Sequence, residues 1–273
     1  MNKTLVSVQD LDMSFGGIKA IEGLSLDVRQ AAITSVIGPN GAGKTTLFNC
    51  LTGFYTPSGG TLRMAHPVHG ELRLETLDST EVASKAGVVR TFQNIRLFPK
   101  MTVLENLIVA QHNALQRASG FSVAGLLGLG NYRRAEEAAV EKALVNIRSL
   151  KLEPFADLPA GALPYGVQRK VELARAMCVD PVLLCLDEPA AGLNPRESAE
   201  LNDYLQQLVS STGLSVLLIE HDMSVVMNIS DHIHVLCYGK KIAEGTPQQI
   251  QNDPQVIAAY LGSPDTDAQG EVA

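Results

Sequence analysis

The residues Gly38-Pro-Asn-Gly-Ala-Gly-Lys-Thr45 follow the spacing G-x-x-x-x-G-K-[ST]. Glycines so placed let backbone N–H groups turn inward around phosphate oxygens, and a helix starting there adds the partial positive charge of its N-terminus. Lys44 would reach the β- and γ-phosphates of a nucleotide, and the Thr45 hydroxyl would ligate Mg2+. A glycine run before a helix also arises by chance, so the context decides. Here Ile33-Thr-Ser-Val-Ile37 is β-rich and runs straight into the loop, and Leu47, Phe48 and Leu51 behind it share a helical face that ends at Gly53. Strand, loop and helix in that order is the context such a loop requires.

A second pattern is Val182-Leu-Leu-Cys-Leu-Asp187-Glu188, an apolar strand ending in two carboxylates. Ligands of open α/β sheets bind at that strand edge. Asp187 suits the Mg2+ shell, directly or through water. Glu188, one residue on, could polarise an attacking water as a general base. Taken alone, Asp-Glu after a strand is as often a solvated loop start; with a phosphate loop upstream, the catalytic reading prevails.

The elements that must position these groups can be read from the rest of the chain. Its 273 residues suffice for one large α/β domain or a core with an inserted subdomain. A net charge of −7 argues against nucleic-acid binding, which needs a basic surface. Cys50, Cys178, Cys185 and Cys237 lie far apart in apolar patterns and match no metal spacing, so they read as reduced core thiols of a cytosolic protein. The start lacks the apolar stretch of a signal peptide, and no apolar run approaches the roughly 18 residues of a membrane-spanning helix. If the protein works at a membrane, another chain must cross it.

Leu5–Val8 and Leu24–Val28 alternate apolar and polar positions around a Gly16-Gly17 turn, as strands do. Val182–Leu186 and Val216–Ile219 are continuously apolar, which suits parallel strands buried on both faces. Between them Leu201, Leu205 and Leu208 mark a helix, with Asn194 as its cap, Pro195 at its first position and Glu197 completing a capping box. Strand, helix and strand imply a parallel βαβ unit. Residues 95–162 read as a helical insert. In it a helix from Asn131 carries Val140, Ala143, Leu144 and Ile147 on one face, with acidic residues early and basic residues late. Gly120–Gly130 reads as a loop, either packed on its own subdomain or exposed for docking. Two further helices start at Thr246-Pro247 and Asp253-Pro254, the second stopping at Gly262.

With both motifs in place, the chain resembles the nucleotide-binding subunits of ABC transporters over nearly its whole length. Leu163-Pro-Tyr-Gly-Val-Gln-Arg-Lys-Val-Glu-Leu-Ala-Arg-Ala176 occupies the place of that family's Leu-Ser-Gly-Gly-Gln signature, and Pro189-Ala-Ala-Gly-Leu-Asn194 that of its D-loop. The resemblance implies an α/β fold: a P-loop NTPase (RecA-like) parallel-sheet core with an antiparallel β subdomain and an inserted helical subdomain. Residues 1–94 and 163–262 would form the ATP-binding core, 95–162 the helical subdomain and 263–273 a flexible tail. It implies ATP and Mg2+ as cofactors. ATP would lie on Gly38, Pro39, Asn40, Gly41, Ala42, Gly43, Lys44, Thr45 and Thr46, with Phe15 stacking on adenine. Thr45, Gln93 and Asp187 would hold Mg2+, while Glu188, His221 (sensing the γ-phosphate) and Gln93 would serve catalysis. Across a dimer interface, Leu163, Pro164, Tyr165, Gly166, Val167 and Gln168 would act on the partner's ATP, next to the D-loop residues Ala191, Gly192, Leu193 and Asn194. His66, His69, His112, His232 and His234 read as structural.

Within that family, Val88-Val-Arg-Thr-Phe-Gln93, Met101–His112, Glu188–Pro195, Ile242–Pro247 and Asp253–Gly262 resemble importers of branched-chain amino acids, specifically their LivG-type ATPase subunit. This implies as partners a second homologous ATPase subunit (a heterodimer, or a homodimer), two membrane permeases, and indirectly a periplasmic amino-acid-binding protein, with no nucleic acid; Ile95 to Asn106 read either as the permease contact or as internal packing. The implied place is the cytoplasmic face of the inner membrane, peripherally. The alternatives are an ABC ATPase for urea, amides or lipopolysaccharide, or a non-transport ABC ATPase; chromosome-maintenance and translation members would show long coiled-coil insertions, basic surfaces or a second cassette. The signature departs from the family's pattern. Pro164 has neither the hydroxyl nor the N–H of the usual serine, Tyr165 replaces the first glycine and Val167 the glutamine. The expectation is an asymmetric pair of sites, with the one completed by Pro164 the weaker.

Overall fold

The computed structural model describes residues 3–91, 93–113, 115 and 131–261; the Gly120–Gly130 loop, the helix stop at Gly262 and the tail from Ser263 lie outside them. The described elements are β1 (Thr4–Phe15), β2 (Ile18–Arg29), β3 (Ile33–Ile37), α1 (Lys44–Leu51), β4 (Gly59–His66), β5 (Gly70–Arg73), α2 (Ser79–Ser84), β6 (Val88–Arg90), α3 (Val103–Ala110), α4 (Asn131–Ser149), α5 (Tyr165–Met177), β7 (Leu183–Asp187), α6 (Pro195–Thr212), β8 (Ser215–Ile219), α7 (Met223–Ile229), β9 (His232–Cys237), β10 (Lys240–Gly245), α8 (Pro247–Gln251) and α9 (Pro254–Leu261). They group into two compact units, 1–90 with 182–190 and 198–273, and 91–181 with 191–197.

The first unit contains two sheets. One has the order β2-β1-β4-β5 and is antiparallel throughout; the other has the order β10-β9-β3-β8-β7-β6. In the second sheet β3, β6, β7, β8 and β9 run parallel, and β10 returns antiparallel on β9. Every position of β3, β7 and β8 is buried. Burial on both faces is why β7 and β8 read as near-continuous apolar runs rather than alternations, while the buried Thr34 and Ser35 of β3 are hydrogen-bonded. The strand–helix–strand unit β7-α6-β8 forms as expected, and Asn194 and Glu197 make the reciprocal box, each backbone N–H donating to the other's side chain at 3.0 Å.

The second unit is helical, built on α3, α4 and α5. Thr102 and Glu105 close a capping box on α3, and buried Ala139, Ala143 and Ile147 give α4 its apolar stripe. Two expectations need correction. Residues 163–181 group with this helical unit, not with the α/β core, because α5 packs on α3 and α4. The charge gradient along α4 is also absent at its start. No acidic residue lies in the first turn, where Arg133 and Arg134 come before Glu136 and Glu137, and the dipole effect fades beyond that turn. Arg133 instead pairs with Glu137 at 3.1 Å along the helix surface.

Candidate nucleotide-binding site

β3 delivers the chain to the glycine loop and α1 carries it away. The turn demands glycine at two points. Gly38 has φ +151°, and a Cβ there would lie 2.1 Å from the Leu236 carbonyl oxygen of β9; Gly43 has φ +99°, and a Cβ would lie 2.8 Å from the Ala20 oxygen. No side chain caps α1 and no acidic residue stands in its first turn. Its N-terminal partial positive charge is therefore not offset by a side-chain cap or by an acidic residue of its own first turn. The Lys44 ammonium is folded back, donating to the Gly38 oxygen at 2.6 Å and the Pro39 oxygen at 3.0 Å. Burial pushes its pKa below the usual lysine range, opposed by the charges of Glu188 and Asp187. A cation held only by neutral carbonyls, beside a bare helix N-terminus, is a site made for an anion.

The carboxylates arrive from β7. Asp187 pairs with Arg90 of β6 at 2.6 Å, both side chains being almost wholly buried. Arg90 also bonds the Asn49 side-chain oxygen of α1 and lies over the Phe48 ring at 5.5 Å. It thus ties the carboxylate strand to the helix behind the loop. Glu188 has φ +49°, a left-handed conformation that costs a non-glycine residue roughly 1–2 kcal/mol. It is held there because its N–H donates to the Ile219 oxygen at 2.9 Å, extending the β7–β8 ladder one residue past the strand. The turn aims its side chain toward His221, whose Nδ1 lies 3.6 Å from the Glu188 Oε1. Glu220, fully buried, accepts from the N–H of Ala190 at 2.9 Å and of His221 at 3.3 Å. Burial raises its pKa despite those bonds.

Phe15, at the end of β1, is partly exposed and meets Tyr55 edge to face, ring centroids 5.2 Å apart. Tyr55 is anchored by its N–H on the Asn49 oxygen at 3.0 Å, so two aromatic rings stand beside α1 where one was expected. The first unit therefore brings together the loop, Asp187, Glu188 and His221. Gln93, the signature segment and the D-loop residues Ala191–Asn194 belong to the second unit. There the Gln93 carbonyl accepts a bond from Arg169 of α5. Arg169 also pairs with Glu172 at 3.1 Å and lies over the Tyr165 ring at 5.4 Å. Sequence reasoning missed Arg90, Glu220, Tyr55 and Arg169; for Glu220 the one available signal was a carboxylate lodged between an apolar strand and His221.

Thr45 and Asp187 are hard oxygen donors of the kind Mg2+ takes, and the cradle has the donors for a polyphosphate. A sheet of this order with a bare glycine loop before a helix and an Asp-Glu pair beside it defines a P-loop nucleotide-binding cassette. The chain belongs to the ABC transporter family, which residues 21–191 match; residues 240–266 match the branched-chain amino acid ATP-binding cassette transporter family. It is 50% identical to the high-affinity branched-chain amino acid transport ATP-binding protein BraF of Pseudomonas aeruginosa, over 96% of this chain and 99% of that protein. To LivG of Escherichia coli, of the same description, it is 48% identical over the same shares. Among solved structures it is similar to the ADP conformation of an ATP-binding cassette of an ABC transporter, at 32% identity and a TM-score of 0.81, covering 95% of this chain and 99% of that one. No helix among the described residues is long and apolar enough to cross a membrane.

Proposed function

We propose that this chain hydrolyses ATP to energise uptake of branched-chain, apolar amino acids through separate membrane permeases. The observation that carries this is similarity running end to end, including the segment at 240–266, to subunits described for that transport. In this reading the loop N–H groups and Lys44 bind the phosphates, with Lys44 exchanging the Gly38 and Pro39 carbonyls for phosphate oxygens. Phe15 and Tyr55 flank the adenine. Thr45, Asp187 and Gln93 hold Mg2+, which supplies charge neutralisation at the phosphates when bound. Glu188 takes a proton from the attacking water while His221 fixes the Glu188 side chain and reports on the γ-phosphate. Glu220 links His221 to Ala190, so the γ-phosphate sensor and the start of the D-loop share one buried carboxylate.

The partners that complete the machine are a second homologous ATPase subunit, two permeases and a periplasmic binding protein, with this chain peripheral on the cytoplasmic face. Binding energy from ATP favours a closed dimer that reopens after hydrolysis. Reconstitution with the permeases tests the reading: leucine presented on its binding protein should stimulate ATP hydrolysis. Stimulation by a urea-type ligand alone, or by no apolar amino acid, would overturn the substrate class.

A further inference from the structure

Three strands across the sheet from β7, which carries Asp187, the β9–β10 hairpin places three ligand-type side chains on one face. His232 and His234 are two apart on β9 and so point the same way, and Glu244 of β10 sits directly opposite His234 in the antiparallel register. One ligand atom of each lies within 4.8 Å of the other two. Both imidazoles are buried, His234 at 1% exposure and His232 at 9%.

The hydrogen bonds fix which atoms face that space. His234 Nε2 lies 2.9 Å from the carbonyl oxygen of Asp27, which can only accept, so Nε2 carries the proton. On a neutral ring the Nδ1 atom is then a lone pair, and it points at the Glu244 Oε2 from 3.2 Å. Lone pair against carboxylate is repulsive unless a cation lies between them. Neither His234 Nδ1 nor the buried His232 Nδ1 has a hydrogen-bond partner.

We propose that His232, His234 and Glu244 form a binding site for a zinc-class divalent transition metal, structural in role and separate from the nucleotide site. The donor set, two neutral imidazoles and a carboxylate, suits such an ion, and the Asp27 carbonyl supplies the outer bond that metal-bound histidines characteristically make. The 3.2 Å separation is close to the roughly 3.3 Å edge of a tetrahedron with bonds of about 2.0 Å. Two cations stand nearby. Lys241 Nζ holds the Glu244 Oε2 at 2.8 Å and has to swing aside, which its flexible stem on a turn-proximal position allows; Arg29 acts on His232 only through its field. The other close histidine pair lacks this arrangement. His66 Nδ1 already accepts from the N–H groups of Val68 and His69 at 3.1 and 3.0 Å, so its lone pair closes a turn. An ion at the hairpin would pin β10 and β9 to β2, which carries Asp27, and β9 is the strand whose Leu236 carbonyl packs on Gly38.

The test uses the full chain without nucleotide, dialysed against Zn2+ or Co2+ alone. One ion bound per chain is expected, with the intense visible bands of tetrahedral Co2+ and a melting temperature raised by about 5 °C or more at saturating Zn2+. H232Q and H234Q should each lose the bound ion and the shift, and E244Q, at a half-exposed position that spares the fold, should weaken binding at least tenfold. The H66Q/H69Q double variant should bind as the parent does. Absence of a bound ion, binding unchanged in E244Q and H232Q, or binding lost in H66Q/H69Q would each overturn the proposal.

Discussion

The phosphate loop and the signature segment are both helix N-termini, and they are finished in opposite ways. At α1 the chain enters through Gly43 at φ +99°, no side chain caps the helix, no acidic residue stands in its first turn, and Lys44 sets a cation at the opening. At α5 the entry residue is Pro164 at φ −55° and ψ 150°, again with no side-chain cap. But a carboxylate of the chain itself stands there: a Cβ on Gly166 would lie 2.5 Å from the Glu197 Oε1. Tyr165 beside it is pressed to Gly192, whose Cβ position is 3.0 Å from the Tyr165 ring. One N-terminus is open to an anion and the other is partly closed by the protein's own charge and bulk. Two helix ends with the same dipole can thus differ in anion affinity through two or three flanking residues.

The largest effect that could break this comparison concerns Glu188. If the open end, completed by a partner's intact signature, is the hydrolytic site, E188Q should lower complex activity about 10²–10⁴-fold with ATP binding retained, the range for losing a general base. Removing the partner's catalytic glutamate should leave most activity in place. Steady-state hydrolysis by the two singly altered complexes decides it, and equal losses would mean that the two sites are equivalent.

Next in size is the support beneath the closed end. Arg169 and Glu172 form a buried pair, and Arg169 also reaches the Gln93 carbonyl and the Tyr165 ring. Removing one member of a buried ion pair typically costs about 3–5 kcal/mol, because the remaining charge is stranded. R169M should therefore lower the urea midpoint strongly, while R169M with E172L should recover most of the loss. If R169M melts like the parent, the signature helix is not held in this way.

The sequence displayed the open end almost completely. Lys44, Asp187, Glu188 and His221 announce themselves through local order, each next to a strand or a glycine loop, and β3 was delimited to the residue. What stayed hidden acts over long separations. Arg90 meets Asp187 97 residues on, Arg169 reaches back 76 residues to Gln93, and Glu220 binds Ala190 from 30 residues away. Periodicity has no access to such pairings, because they are set by strand order in the sheet and by helix packing. The placement of α5 was misjudged for the same reason: its apolar face says that it packs, not on which partner.

Restoring the missing hydroxyl sharpens the comparison with a gain. A hydrogen bond to a charged group contributes about 1.5–3 kcal/mol, so P164S should raise hydrolysis by the site that receives it roughly tenfold or more. The gain should be clearest with the purified chain alone, where any dimer must use its own signature. Serine is also a favourable N-cap, so the variant should be more stable by about 1 kcal/mol. A stability gain without a rate gain would show that the closed end limits the site by some feature other than the lost hydroxyl.

The smallest expected effect isolates that other feature. Glu197 does two jobs: its Oε2 accepts the Asn194 N–H in the α6 capping box, and its Oε1 crowds the first turn of α5. Glutamine can keep the box while removing the charge. A charge at a helix N-terminus is worth about 0.3–1 kcal/mol, so E197Q should tighten ATP-driven dimerisation by no more than about fivefold. The gain should shrink as salt is raised, since screening already weakens the half-buried carboxylate in the parent. Combined with P164S, the two gains should multiply if hydroxyl and charge act separately. They should fall short of the product if the serine hydroxyl turns to the Glu197 carboxylate instead of the phosphate. Titrating ATP against dimer formation for the parent, the two single variants and the double gives that coupling directly.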